Sequence, residues 1–304
     1  MRIVYILLVF VMFQGCVKQS CFQKGQGGMW YIIHDDKSGD TINVGDYTKL
    51  SMIQKRHDGR VVYNSNDYDN RPIVKFREES AFRGDFFTGL GLLSEGDSAT
   101  IKVSLDSIGK VKGTHVNTGK FLEYSVKIHK VIHRGNLNDS LFNKAINDFY
   151  LKEAELAKAQ EPAKISRYLK INNLKPEQSS SGLMYLIREK GIGKPASRED
   201  TVEVNATLRC FSGKVFDTNL AENAKQGGIF NQLLPYKPMK YPLSMLNPTS
   251  GFYEALITFP KGTKVLLIVP SKLAYGANPF RELQPYTPLL CDIEILDIIH
   301  LKTR

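Results

Sequence analysis

The residues best suited to chemistry lie in the last third of the chain. Residues 213–217 read Gly-Lys-Val-Phe-Asp, Gly251 and Gly262 follow, and residues 274–276 read Ala-Tyr-Gly. Aromatic rings together with one carboxyl and one phenol are typical of a ligand pocket that is mostly apolar, with a few polar contacts. Core packing would explain each aromatic residue alone, but their joint order and spacing favour a pocket.

Other reactive constellations are missing from the sequence. There is no CxxC, no metal-type Cys/His spacing and no Ser/His/Asp arrangement, and only His300 lies outside residues 26–134 among the histidines. This argues against a hydrolase or a redox enzyme, and no cofactor or metal is expected. Cys210 and Cys291 fall in separate strand-like stretches, where a disulfide and two buried thiols are both compatible with the sequence.

Length and composition indicate two ordinary folded domains. The chain has 304 residues, 42% of them hydrophobic, and a formal net charge of +10. This length can bury more than one core. The Lys and Arg residues are scattered without a dense basic tract, so a solvated basic surface is predicted and no nucleic-acid partner is expected.

The N-terminus predicts export and a lipid anchor. Arg2 precedes an apolar run over residues 3–13, which is too short to span a bilayer and is followed by Gly15-Cys16. We interpret residues 1–15 as a lipoprotein signal peptide, Cys16 as the lipidated N-terminus and residues 16–25 as a tether. The alternative is a plain secretory signal in which Cys16 is incidental.

An internal repeat organises the rest of the chain. The segment that starts at Gly28 matches the segment that starts at Gly182, and the hairpin glycines Gly59 and Gly213 keep the same offset. Both copies alternate apolar and polar residues as antiparallel strands do. The fold class is therefore α+β, with similar domains at residues 26–134 and 178–301, each a sheet with one short helix.

Residues 135–177 predict a helical linker between the two copies. Asn138 or Asp139 can cap a run whose apolar residues, including Leu141 and Phe142, recur at helical spacing, and Pro162 can open a second helix. The apolar stripe indicates packing on a neighbouring domain, or else a client-binding surface or a dimer arm that would make the protein a homodimer.

Taken together, the motifs of residues 178–301 resemble the FKBP-type peptidyl-prolyl cis-trans isomerases. The resemblance implies a twisted half-barrel sheet crossed by its helix, with a pocket for a proline ring. It implies four catalytic positions in this pocket. Phe216 would form a wall and Phe252 the floor, while Asp217 would accept a hydrogen bond and Tyr275 would donate one. It assigns substrate-binding positions to Leu243, Met245, Leu283, Cys291 and Ala206.

Departures from the family pattern fall at the pocket. Ala206 stands where the family usually has Tyr, Cys291 replaces Phe, and residues 220–240 form a long insertion beside the mouth. The loss of two aromatic walls predicts a larger or wetter pocket. In the first copy the Phe place falls to Val62 or Tyr63, and no Ala-Tyr-Gly follows, so this copy is predicted to be a degenerate structural or chaperone-like module.

The resemblance implies a prolyl isomerase that acts on proline-containing polypeptides. The repeat, signal and linker are similar to those of tandem FKBP lipoproteins of Bacteroidetes, which implies a folding helper held by lipid in the cell envelope, facing the periplasm. The alternative is a non-catalytic binding or assembly lipoprotein built on two such folds, because a fold does not fix a function.

Overall fold

The alternating segments form two antiparallel sheets, one on each side of a long helix. The computed structural model describes residues 21–68, 71–114 and 119–300. The predicted signal peptide and the lipidation site Cys16 lie outside the described residues. The mixed α+β class with two antiparallel sheets is confirmed.

The first sheet defines the first domain. Its strands are β1 (Gln23–Lys24), β2 (Trp30–Asp35), β3 (Tyr47–Lys55), β4 (Val61–Asn64), β5 (Ile73–Phe76), β6 (Ser98–Ser104) and β7 (Phe121–Ile132). Helix α1 (Phe86–Leu90) precedes β6, and helix α2 (Leu105–Val111) follows it directly.

The second sheet defines the second domain, after helix α3 (Asp139–Ile171). Its strands are β8 (Glu177–Gln178), β9 (Met184–Glu189), β10 (Thr201–Arg209), β11 (Val215–Thr218), β12 (Met239–Pro242), β13 (Lys264–Val269) and β14 (Leu289–Ile299). Two further helices are α4 (Ala221–Gln226) and α5 (Gly251–Thr258).

The two sheets share one topology. The first runs β1-β2-β6-β7-β3-β4, and the second runs β8-β9-β13-β14-β10-β11. In the first sheet, β5 pairs with the first half of β3, and β4 pairs with its second half. In the second sheet, β12 pairs with the first half of β10, and β11 pairs with its second half. The sequence repeat is therefore a repeat of strand order, and paired positions in the two domains can be compared one by one.

Each sheet buries its inner face in a separate core. The first core centres on Leu50, Ile101 and Ile128, and the second on Leu256, Leu267 and further apolar residues. β6 alternates buried and half-buried residues because only one of its faces is covered. β13 is buried almost throughout, since Leu266 and Ile268 on its outer face pack against helix α3.

Helix α3 packs on both domains. Asn138 caps it, its side chain accepting a hydrogen bond from the backbone N–H of Leu141. Near this end Phe142 lies in edge contact with Phe76 of β5, and near the other end Ile165 is buried against the second sheet. Phe142 and Ile165 are thus packed within the chain, whereas Leu141 of the stripe is exposed.

The prediction of a second helix at Pro162 is wrong. α3 runs unbroken from Asp139 to Ile171 with Pro162 inside it. Proline removes one N–H donor and usually bends a helix. Here the turns on both sides are held by tertiary packing, so the helix tolerates the loss of one internal hydrogen bond.

The N-terminal boundary also differs from the prediction. Gln23 and Lys24, expected in the tether, form β1 and pair with Tyr31 and Trp30. The first sheet therefore reaches into the segment predicted as a linker. Within the described ranges, no helix has both the length and the hydrophobicity needed to cross a membrane.

Phe142→Ala should destabilise the first domain. Phe142 is 1% exposed, and truncation of a buried Phe costs about 3–5 kcal/mol of unfolding free energy. The single tryptophan, Trp30, lies in β2, so its fluorescence during urea unfolding reports on this domain. The neighbouring Leu141 is 53% exposed, and Leu141→Ala should leave the transition nearly unchanged. Equal shifts for both variants would contradict the packing role of Phe142.

Candidate functional site

A cavity of about 280 Å³ opens in the second domain between the sheet, helix α5 and the turn after β13. Most of its lining side chains are apolar or aromatic, with one carboxyl and two phenols among them. They are Leu208, Asp217, Tyr241, Ser250, Phe252, Leu267, Val269, Leu273, Ala274, Tyr275, Leu289 and Cys291.

A β-bulge delivers Asp217 to the cavity. Arg209 of β10 pairs with Val215 of β11, whereas the preceding Leu208 pairs with Asp217. Phe216 is the extra residue of the bulge, and it turns into the core with 6% exposure. The bulge thus allows neighbouring residues to serve two purposes, Phe216 in packing and Asp217 at the exposed mouth of the cavity.

A tight turn after β13 places Tyr275. The backbone N–H of Ala274 and that of Gly276 both donate to the carbonyl oxygen of Ser271, at 2.9 Å each. Gly276 has a φ of +60°, which glycine adopts without strain. The Tyr275 ring stacks face to face on Phe280, with ring centroids 4.2 Å apart and planes within 6° of parallel.

Helix α5 supplies the floor. The Ser250 side chain caps the helix by accepting from the backbone N–H of Tyr253, which sets Phe252 one residue into the first turn. Tyr241, from β12, meets the Phe252 ring edge-on with centroids 5.0 Å apart. The two rings form one continuous aromatic side of the cavity.

Burial and one nearby charge keep the phenols of the site protonated. Burial raises the pKa of Tyr275 above its usual value, and the negative charge of Asp217 raises it further. The same two causes, in the same order, raise the pKa of Tyr241. Both hydroxyls are therefore hydrogen-bond donors at neutral pH.

The structure brings some predicted site residues together and places others elsewhere. Asp217, Phe252, Tyr275 and Cys291 line the cavity. The remainder lie outside this lining. Phe216, Leu243, Leu283 and Ala206 are buried in the core beneath, and Met245 is 83% exposed.

Sequence reasoning missed Tyr241 and Leu208. Tyr241 follows directly after the predicted insertion over residues 220–240, and its pairing with Val202 in the sheet decides its position. Leu208 faces the cavity because it pairs with Asp217 across the bulge. The spacing from Tyr275 to Phe280 gave no signal for the ring stack.

Strand register identifies the equivalent positions in the first domain. In the second sheet, Cys291 pairs with Leu208 on one neighbouring strand and with Leu267 on the other. In the first sheet, Tyr124 lies at the equivalent position and pairs with Gln54 and Ile101. The Tyr124 ring packs against Phe86 of α1, with centroids 4.8 Å apart. The large, partly buried side chain of Tyr124 thus packs against the first core at the position where the second domain has the small Cys291.

The polar positions are also replaced in the first domain. Tyr63 pairs with Gln54 where Asp217 pairs with Leu208, which assigns the Asp place to Tyr63 and the Phe place to Val62. Directly after β6, helix α2 begins at Leu105, so the chain takes a helix where the second domain forms the Tyr275 turn.

The two cysteines of the second domain are thiols. Cys210 and Cys291 are both buried and do not form a disulfide with each other. Burial raises the pKa of the Cys291 thiol, so it is a neutral wall of the cavity and not a nucleophile.

Comparison with known proteins finds a match within the second domain. Residues 193–296 match the family model "FKBP-type peptidyl-prolyl cis-trans isomerase". The chain is 32% identical over 120 residues to the FKBP-type peptidyl-prolyl cis-trans isomerase FkpA of Escherichia coli K12, covering 40% of this chain and 39% of that protein. It is 26% identical over 199 residues to FkpA of Aeromonas hydrophila, covering 64% and 66%.

A solved structure is also similar. The crystal structure of FkpA from Escherichia coli matches with 27% identity and a TM-score of 0.39, over 54% of this chain and 74% of that one. The chain spans about two fifths of the length of the Escherichia coli relative that it matches in sequence.

Asp217→Asn should lower the pKa of Tyr275. The carboxylate disfavours the phenolate, so its removal makes deprotonation easier, while burial still holds the pKa above the ordinary value. Tyr ring ¹³C NMR titration resolves the individual phenols. Glu282→Gln is the matched control, because Glu282 acts on Tyr68 and should shift that pKa instead. An unchanged Tyr275 pKa in Asp217→Asn would show that the carboxylate does not act on this phenol.

Proposed function

We propose that this protein catalyses the cis-trans isomerisation of peptide bonds that precede proline, since residues 193–296 match the model of the FKBP-type peptidyl-prolyl cis-trans isomerase family. The proline ring of a polypeptide substrate enters the cavity and rests on Phe252. Leu208, Leu267 and other apolar side chains surround the ring. Catalysis of this kind needs no cofactor.

Amide rotation sets what the site must do. The barrier is about 18–20 kcal/mol, because rotation breaks the resonance of the peptide bond. The twisted amide is less polar than the planar one, so an apolar wall favours it over both ground states. The Tyr275 hydroxyl, kept protonated by burial and by Asp217, donates to a substrate carbonyl and fixes its orientation.

One observation carries this proposal. Asp217, Phe252 and Tyr275 come from three separate elements, and they meet around one cavity of about 280 Å³ with a largely apolar lining. That volume suits a small ring with its flanking peptide. Cys291, which is smaller than the Phe of the family pattern, leaves room behind the ring.

Tyr275→Phe should reduce kcat/KM about 3- to 10-fold, the equivalent of one neutral hydrogen bond of about 0.5–1.5 kcal/mol. A protease-coupled assay on a proline-containing peptide measures this with the full chain. The control is Tyr31→Phe in the first domain, where the lost hydroxyl only donates to Gln23. The site would be misplaced if Tyr275→Phe left the rate unchanged.

A second function is favoured by the first domain. Tyr124 fills the position of Cys291 there, yet the sheet and the core are retained. A protein that only binds clients or assembles with partners would need the folds without the isomerase cavity. Wild-type protein that binds proline peptides but does not accelerate their isomerisation would favour this reading.

We place the protein in the bacterial cell envelope, as a folding helper for proline-containing polypeptides. The apolar run over residues 3–13 and the following Gly15-Cys16 support export and lipidation at Cys16. The anchor would face the periplasm. A homodimer through helix α3 stays a prediction; Leu151 and Leu156 are among the exposed apolar residues of this helix.

Cys16→Ser should release the protein from the membrane fraction, because the proposed lipid is attached at that thiol. Fractionation of cells at high salt, followed by immunoblotting, measures the distribution. Cys21→Ser, five residues on, is the matched control and should remain with the membrane. Sedimentation of Cys16→Ser with membranes would place the anchor elsewhere.

A further inference from the structure

We propose that Glu161 of helix α3 is a positioning residue for Tyr275. We also propose that the first domain supports Tyr275 from the other side, through the loop over residues 279–287. The cavity would then depend on parts of the chain that lie outside residues 193–296. This inference rests on the proposed isomerase function, and it assigns a purpose to the linker and to the first domain.

Glu161 reaches across from the helix to the turn that carries Tyr275. One carboxylate oxygen accepts a hydrogen bond from the backbone N–H of Ser271 at 2.5 Å, and the other accepts from the Ser271 hydroxyl at 2.6 Å. Ser271 is fully buried. Hydrogen bonds to a carboxylate are about twice as strong as neutral ones, and two to one residue fix its direction as well as its distance.

Ser271 transmits this restraint to Tyr275. Its carbonyl oxygen accepts the N–H groups of Ala274 and Gly276, the two residues that flank Tyr275. A shift of Ser271 therefore moves both ends of the short segment that bears the phenol. Glu161 fixes Ser271 from outside the second domain, while the strand β13 fixes it only from one side.

The other side of the Tyr275 ring is set by the loop over residues 279–287. Phe280 of this loop stacks on Tyr275, and the backbone N–H of Tyr286 donates to the Gly276 carbonyl at 2.7 Å. The ring is thus held between its own turn and the loop. Any movement of the loop changes where the hydroxyl points.

The first domain holds this loop. Arg71 donates to the carbonyl of Pro285, and Gln284 donates to the carbonyl of Pro72 at 2.8 Å. Tyr68 packs against the core of the second domain, where burial raises its pKa to about 12. Arg71, Pro72 and Tyr68 belong to the short connection between β4 and β5, so the degenerate copy contributes a fixed surface behind the active cavity.

Glu161→Gln in the full-length protein tests the first restraint. The Gln amide group would face the Ser271 donors with an N–H₂, which removes at least one bond. We expect kcat for a proline peptide to fall about 3- to 10-fold with KM within about twofold, because misplacement of the donor affects the transition state more than the apolar binding of the ring. Glu155→Gln, an exposed residue on the same helix with the same loss of charge, should change neither.

Hydrogen exchange gives a readout that does not require activity. Peptides covering residues 271–276 should exchange at least about threefold faster in Glu161→Gln than in wild type or Glu155→Gln, since local opening becomes easier. Peptides from the first core should be unaffected. If the wild type lacks isomerase activity, the proposed function fails, while this measurement still decides whether Glu161 holds the turn.

A double-mutant cycle tests whether Glu161 acts through Ser271. Ser271→Ala removes only the hydroxyl bond, so its effect on kcat should be smaller, and the two effects should not add when combined. Additive effects, or a Glu161→Gln variant with unchanged kcat and unchanged exchange, would overturn the proposal. A fall in kcat that is accompanied by a loss of thermal stability throughout the chain would also overturn the proposal, because Glu161 would then have a general structural role.

Gln284→Ala provides an independent variant should Glu161→Gln fail to fold. It removes the surface bond to Pro72 and leaves every cavity side chain in place. We expect faster exchange over residues 279–287 and a reduced kcat with little change in KM. Unchanged exchange over this loop would show that the first domain does not brace it.

Discussion

Burial of helix α3 against both sheets is the contact on which the arrangement of this chain depends. Phe142 is enclosed at one end and Ile165 at the other, and a helix of this length and polarity takes most of its stability from such packing. Coverage of the outer face of the second sheet makes β13 a strand buried on both sides. The same helix carries Glu161 to the turn at the edge of the cavity.

The two domains show how one strand topology can carry different side chains at equivalent positions. Cys291 and Tyr124 occupy equivalent positions in their sheets, and the Tyr124 ring packs against Phe86 of helix α1. Protein interiors are close-packed, so a difference of one side-chain volume decides whether a ring-sized space remains. The turn after β13, replaced by helix α2 in the first domain, adds the phenol.

The chemistry of the cavity follows from the balance between apolar lining and one exposed carboxylate. Burial alone would keep the Tyr275 and Tyr241 hydroxyls protonated, and Asp217 adds to that by opposing a second negative charge. A carboxylate at the mouth stays hydrated, whereas one on the floor would have brought water inside. The site therefore combines hydrogen-bond donors with an apolar surface.

The sequence by itself determined the α+β class, the repeat and the helix between the two copies, and it revealed the resemblance of the second copy to a known family, because strand alternation, helical spacing and turn glycines are local signals. Of the residues that it assigned to a pocket, Asp217, Phe252, Tyr275 and Cys291 line the cavity. It could not locate Tyr241 or Leu208, which reach the cavity only through strand register and a bulge. It also assigned Met245 to a wall although this side chain lies in solvent. Only tertiary structure decided that Pro162 lies inside one helix and that Glu161 meets Ser271, since contacts between residues about a hundred positions apart leave no trace in local spacing.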